Sequence, residues 1–171
     1  MKINKVGFPP IIGCAPKILI LGSMPSEASL KLEQYYAHPQ NAFWYIMGSL
    51  FCFNAEATYA ERKALLIKNR VALWDVLQEC EREGSLDSSI IGSSIKTNDF
   101  PHLLTSYPTI KLIVFNGATA EKVFKKRVLL GLKIQLEQIQ MIRLPSTSPA
   151  MATLTKEQKM EQWSQIVKAI A

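Results

Sequence analysis

Residues 18–44, ILILGSMPSEASLKLEQYYAHPQNAFW, pass from a run of apolar side chains into a Gly/Ser/Pro turn and then into a dense mixture of polar and aromatic residues. Ile18 to Leu21 has the length and apolar content of a fully buried strand, and Gly22 to Ser26 is the tight, hydroxyl-bearing turn that ends one. In open parallel α/β sheets, ligands bind beyond the carboxyl ends of the strands. Tyr35, Tyr36, His38, Asn41, Phe43 and Trp44 are therefore expected to face a site. On the residues alone a second reading stands beside this one. In it the aromatics fill core space, and Asn41, a favoured helix-capping residue, caps the helix that Phe43, Trp44, Ile46 and Met47 begin.

Working outward, residues 1–16 hold three prolines and two glycines, which predicts an irregular arm rather than a strand or helix. After the aromatic loop, 41–51 has helical apolar spacing. Residues 58–69 form a second predicted helix, with Thr58 as its cap and Ala64, Leu65 and Ile67 turned inward. Val71 to Leu73 is a short strand before Trp74 and Asp75. Residues 78–98 are charged, then rich in Ser and Gly, and predict a long loop carrying a short helix. Residues 99–106 predict a helix with Asp99 at its start and Pro101 in the first turn, where proline is tolerated. Ile110 to Phe115 is the strongest strand, followed by the Asn116-Gly117 turn and a helix over 118–130. Ile139 to Leu144 is the last strand. After the PSTSPA loop a closing helix spans 155–170, with Thr155 and Gln158 at capping-box spacing. Strands alternating with helices imply parallel strands joined by right-handed crossovers, hence an α/β fold, with all 171 residues in a single domain.

A 48% apolar content supplies a real core, and a formal charge of +6 favours an anionic partner such as nucleic acid, although many ordinary basic proteins share it. Cys14, Cys52 and Cys80 are odd in number and widely spaced, and read as reduced, buried thiols of an intracellular protein. His38 and His102 cannot by themselves build a zinc site, so neither metal nor cofactor is expected. No signal peptide and no stretch approaching the roughly 20 apolar residues of a membrane span is present. A soluble, cytoplasmic monomer is the expectation.

The pair GSMPS and QYYAHPQNAFW resembles the first motif region of the uracil-DNA glycosylase superfamily, most closely its hypoxanthine-DNA (DNA-deoxyinosine) glycosylase branch. Two shorter matches, VFNG and LPSTSPA, extend the resemblance over nearly the whole chain. It implies a three-layer α/β/α sandwich around a central four-stranded parallel sheet. It also implies cleavage of an N-glycosidic bond in DNA containing deaminated bases. Such chemistry needs a held water, donors for the departing base and little bulk solvent, with the base flipped into a pocket. Three cysteines are too few for the four-cysteine iron–sulfur cluster of some branches.

Much of the superfamily orients its water with a polar side chain just before the proline of the first turn. Met24 stands there and cannot do so. By resemblance the catalytic role passes to Asn41; a helix cap remains the alternative. Phe43 matches the phenylalanine laid against the flipped base, where stacking contributes roughly 1–3 kcal/mol, or is a core residue at a helix start. Gly22, Ser23, Tyr36 and His38 belong with the base-binding group, His38 alternatively being a hydrogen-bonded loop residue. ALWD loosely resembles the second superfamily strand, placing Asp75 where a carboxylate could accept from the N1–H of hypoxanthine; an N-cap or a surface ion pair is the alternative. Asn116 could offer its amide to a purine edge or shape the turn with Gly117. LPSTSPA resembles the loop that pinches the DNA backbone, so Ser146, Thr147 and Ser148, with Ser26, are expected on phosphates. Leu144 replaces the His or Asn that other branches carry there and cannot stabilise a leaving anion. Lys122, Lys125, Lys126 and Arg127 could touch phosphates or form a solvated face.

The expected function is a monofunctional DNA glycosylase that excises hypoxanthine, with uracil as a secondary substrate, by water attack, since no motif holds a Schiff-base lysine. The alternatives are a non-catalytic binder of damaged DNA, because Met24 and Leu144 leave fewer catalytic groups, and an enzyme of free nucleosides, which the serine-rich loop disfavours.

Overall fold

The computed structural model describes residues 3–132 and 136–171. Its central sheet has four parallel strands, β2 (Ile18–Gly22), β3 (Val71–Asp75), β6 (Leu112–Asn116) and β7 (Gln140–Leu144), in the order β3-β2-β6-β7. β2, β3 and β6 are buried along their whole length, so both faces are covered and the sequence reads as unbroken apolar runs. The register sets Gly22 beside Asp75 and Asn116 beside Leu144 at the carboxyl end. From β2 the chain winds first to β3 on one side and later to β6 on the other. The break in winding falls between β2 and β6, where an open α/β sheet leaves a crevice.

A second sheet, of antiparallel β1 (Asn4–Val6), β4 (Leu77–Glu81) and β5 (Lys96–Thr97), corrects two expectations. The N-terminal arm contains a strand, pairing Asn4 with Glu81 and Val6 with Glu79, although its first two residues lie outside the described ones. The expected loop over 78–98 begins and ends in strand, with two 3₁₀ turns between. All three strands are short and rich in polar residues, and their pairing is long-range, so no local alternation announces them.

The helices are α1 (Glu27–Leu32), α2 (Phe43–Phe51), α3 (Tyr59–Lys68), α4 (Phe100–Ser106), α5 (Ala118–Arg127) and α6 (Lys156–Trp163). α1, capped by Ser26, was not expected inside the motif loop. Thr58 caps α3 and Thr155 caps α6, each in a capping box with the residue three positions on; Asp99 caps α4. In α3 the inward residue is Leu66, not Ala64, Leu65 or Ile67. Arg62, one turn earlier, lays its guanidinium over Trp44 at 4.6 Å and so shares the packed face with Leu66. Beyond Trp163 the chain tightens into a 3₁₀ segment, Ser164–Ala169. Of the three thiols only Cys80 is buried; Cys14 and Cys52 are exposed, which corrects the expectation for both. Cys52 sits in the left-handed C-cap of α2, a solvent-facing position. No helix among the described residues is long and apolar enough to cross a membrane.

Candidate active site

At the carboxyl end of the parallel sheet lies a cavity of about 360 Å³. It is walled by the strand ends Gly22, Asp75 and Asn116, the turn 23–26, Tyr35, Tyr36 and Asn41, residues 85–87, and the loop 146–148. Ten of the expected site residues therefore meet in one place: Gly22, Ser23, Ser26, Tyr36, Asn41, Asp75, Asn116, Ser146, Thr147 and Ser148. His38 and Phe43 do not line it.

Gly22 is required by close approach. A β-carbon there would lie 2.4 Å from Asp75 Oδ1 and 2.9 Å from the Tyr36 hydroxyl, so both polar groups rest directly over the Gly22 backbone. Tyr36 has φ 54, a left-handed conformation uncommon for an aromatic residue. That backbone turn lays its ring flat on Phe43, with centroids 4.1 Å apart and planes at 21°. Phe43 has no exposed surface and also meets Trp44 and Trp163 edge-on. Phe43 thus backs the site from one ring behind, and the aromatic wall belongs to Tyr36. His38 Nδ1 accepts from the Gln40 N–H at 3.2 Å, which makes it a loop-shaping residue facing a neighbouring cleft.

Asn41 Oδ1 accepts the Phe43 N–H at 3.0 Å, so it does secure the start of α2. The same carbonyl oxygen keeps a second lone pair, and Asn41 Nδ2 donates to no described residue.

Asn116 has both of its amide hydrogens engaged. Its Nδ2 donates to the Tyr36 hydroxyl at 3.0 Å and to Thr147 Oγ1 at 2.9 Å, and its Oδ1 accepts the Thr147 N–H at 2.9 Å. Both amide hydrogens are taken, so Asn116 has no donor left for a purine edge, and only the second lone pair of Oδ1 remains. Thr147 has no exposed surface, which corrects its placement on the DNA backbone: it locks the loop inward, its carbonyl also accepting the Ala42 N–H at 3.0 Å. The loop is tied further by Trp163 Nε1 on the Pro145 carbonyl at 2.9 Å and by Lys159 Nζ on the Ser148 carbonyl at 3.0 Å. Ser146 and Ser148 are the loop hydroxyls left near the surface. Gly117, at φ 94, must be glycine, since a β-carbon would press on Ser146 at 3.0 Å.

Asp75 is 4% exposed and its Oδ2 is buried without a hydrogen-bond partner. Burial, reinforced by the charge of Asp87 and opposed by Arg82, pushes its carboxyl up to about 7. Burial and the nearby Asp75 also hold Tyr36 well above the ordinary phenol range.

Sequence reasoning missed the 82–87 segment. Arg82 is buried, with Nη2 donating to the Pro25 carbonyl at 2.5 Å and Nε to the Gly84 carbonyl at 3.1 Å, and so pins the motif turn. Asp87 accepts from Ser23 Oγ at 2.7 Å. A charged ERE followed by GSLDS carries no apolar period, and only the antiparallel pairing of β1 with β4 delivers it to the cavity. The basic cluster on α5 sits at the end of the helix remote from Gly117, with Lys125 paired to Glu121 and Arg127 donating to the Gly92 carbonyl. Among the described residues no group of three or more His, Cys, Asp or Glu could hold a metal ion.

Comparison with known proteins gives a consistent result. Residues 9–169 match the model of the uracil DNA glycosylase superfamily. A hypoxanthine DNA glycosylase of Methanosarcina acetivorans is 36% identical over 165 residues, covering 96% of this chain and 98% of the relative. One from Methanosarcina barkeri is 40% identical over 116 residues, 67% of this chain and 72% of the relative. The solution NMR structure of a protein from M. acetivorans, provisionally assigned as a uracil DNA glycosylase, superposes with a TM-score of 0.81 at 34% identity, covering 98% of this chain and 99% of the other.

Proposed function

The chain belongs to the uracil DNA glycosylase superfamily, and on that premise we propose that it is a monofunctional DNA glycosylase that excises hypoxanthine, and secondarily uracil, from DNA. The observation that supports this reading is the meeting of Asn41, Asp75 and the Ser146–Ser148 loop around one cavity of about 360 Å³ that Tyr36 also lines. The substrate order follows the curated relatives, both hypoxanthine DNA glycosylases. The three-layer α/β/α arrangement expected from the sequence accompanies the same reading.

In this mechanism a base flipped out of the helix lies on the Tyr36 face, with its edge toward Asp75. Asn41 Oδ1, already oriented by the Phe43 N–H, uses its second lone pair to hold a water at the anomeric carbon. The water oxygen bonds to C1′ as the C1′–N bond breaks. The bonding electrons leave with the base, which takes up one proton, and the water releases one. Fixing the amide in advance removes reorganisation from the reaction step. The hydroxyls of Ser146 and Ser148 contact phosphate oxygens without reading sequence. A cytoplasmic, monomeric enzyme is the accompanying proposal.

A non-catalytic binder of damaged DNA is favoured by one observation: Met24 and Leu144, at positions where relatives in other branches carry polar groups, are both buried and apolar. Release of free base from a deoxyinosine duplex under single-turnover conditions decides between them. Tight binding without release establishes the binder.

A further inference from the structure

A carboxyl group stands at the end of β3 with no ion pair to it among the described residues; the charge of Arg82 favours its ionised form but is outweighed by burial and Asp87. Asp75 Oδ2 is buried and unpartnered, and Oδ1 rests over Gly22. The groups facing it are few. From the motif segment come Tyr35 and Tyr36, both phenols held protonated by burial. From the segment after β4 come Arg82 and Asp87. Arg82 spends Nη2 and Nε on carbonyl oxygens, and its Nη1 lies 3.9 Å from Asp87. Asp87 adds a second negative charge. From β6 comes the neutral Asn116, both of its amide hydrogens already donated. An ionised Asp75 would be a buried, unpaired anion, which is expensive; a neutral one costs much less.

The protonation state decides what the group can recognise. A carboxylate only accepts hydrogen bonds, whereas a carboxylic acid presents one donor and one acceptor side by side. The deaminated bases share a cyclic lactam, a ring N–H beside a ring carbonyl, which needs the opposite pair. A carboxylate would satisfy the N–H and repel the carbonyl oxygen.

We propose that Asp75 reads the flipped base as a neutral carboxylic acid, its C=O accepting the lactam N–H and its O–H donating to the adjacent lactam oxygen. The assignment rests on the reading of the cavity as a base pocket. It makes the enzyme's grip on hypoxanthine and uracil a function of pH: ionisation of Asp75 removes the donor and the lactam is no longer matched. Keeping a carboxylic acid neutral near pH 7 so that it can donate a hydrogen bond is an established device of buried acids.

The test is single-turnover base release from deoxyinosine and deoxyuridine duplexes between about pH 6 and about pH 8.5, for wild type, Asp75→Asn and Asp75→Ala, with melting curves at each pH. Wild-type release is expected to fall about tenfold per pH unit above the carboxyl's midpoint. Asp75→Asn, whose amide offers donor and acceptor at every pH, should lack that fall, and Asp75→Ala should be slow throughout. A second readout does not depend on turnover. The infrared band of a protonated carboxyl, identified by its loss in Asp75→Ala, should persist when a deoxyinosine duplex binds. An Asn variant that keeps the wild-type fall, an Ala variant as fast as wild type, or loss of the band on DNA binding overturns the proposal while leaving the glycosylase reading in place. A wild type that releases no base at any pH removes both.

Discussion

Tyr36 lies face to face with Phe43, 4.1 Å between centroids, and of the two only Tyr36 reaches the cavity. In the proposed mechanism a flipped base would therefore meet a phenol ring backed by a second aromatic. The hydroxyl held by Asn116 stops that ring from turning edge-on.

Replacing Tyr36 by Ala removes the stacking surface. Affinity for deoxyinosine DNA should fall by roughly 10- to 100-fold, the scale of one base–aromatic contact of about 1–3 kcal/mol. Phe43→Leu, which changes only the backing, should lower the melting temperature and leave affinity of the folded protein within a few-fold. Fluorescence anisotropy well below both melting points is the measurement. Equal losses in the two variants would return the stacking role to Phe43.

Asn41 accepts the Phe43 N–H from just outside the N-cap of α2, Ala42, and in the proposed mechanism the same side chain also holds the water. Asn41→Ala should cost roughly 1 kcal/mol of stability, because the Phe43 N–H loses its acceptor. It should also slow base release on the order of 10²-fold or more, as when one preorganised polar group is lost from a transition state. Met24→Ala should change release much less. Single-turnover rates with melting curves separate the two effects, and a destabilised but fast Asn41 variant would leave the residue as a cap alone.

Asn116 holds three hydrogen bonds between β6, Tyr36 and Thr147. Asn116→Ala leaves the Thr147 N–H buried without a partner, a loss of roughly 1–3 kcal/mol for that group alone. Amide exchange at Thr147 should accelerate while that within β2 does not. Unchanged protection at Thr147, with activity lost, would instead mean that Asn116 meets the base itself.

Affinity for DNA should decline with rising salt, since phosphate contacts release counterions, the slope counting those contacts. Ser146→Ala should weaken binding to every sequence alike and leave base preference unchanged. Titrations at several salt concentrations with undamaged and deoxyinosine duplexes check both statements.

The parallel sheet was legible because three of its four strands, β2, β3 and β6, are buried along their whole length. Ile18–Gly22 and Leu112–Asn116 read as continuous apolar runs, and the turns that end them are spelled out by Gly22-Ser23 and Asn116-Gly117. Caps were equally legible at Thr58, Asp99 and Thr155, where the signal is local. What stayed hidden was set by long-range pairing: β1 with β4, the delivery of Arg82 and Asp87 to the cavity, and the commitment of Asn116 to Thr147 thirty-one residues away. That Tyr36 and not Phe43 lines the cavity goes with a left-handed φ at Tyr36, which no residue pattern announces.

Asp75 makes a prediction about stability as well as recognition. Its carboxyl titrates near the usual carboxylate range when unfolded, 3.8, and at about 7 in the folded cavity. Between these values the folded state binds the proton more tightly, so folding is favoured fully below the unfolded value and that advantage drains away as pH rises toward 7. Above about pH 7 the folded protein carries a buried, unpaired anion. Asp75→Asn, neutral at every pH, should thus stabilise the protein at pH 8 relative to wild type, by no more than about 4 kcal/mol at the conversion of 1.36 kcal/mol per pH unit. At pH 4 the two should differ little. Urea titrations of both proteins at the two pH values give the difference directly. A wild type whose stability relative to Asp75→Asn is flat from pH 4 to pH 8 would mean that the folded carboxyl titrates in its ordinary range, the Arg82 charge offsetting burial and Asp87.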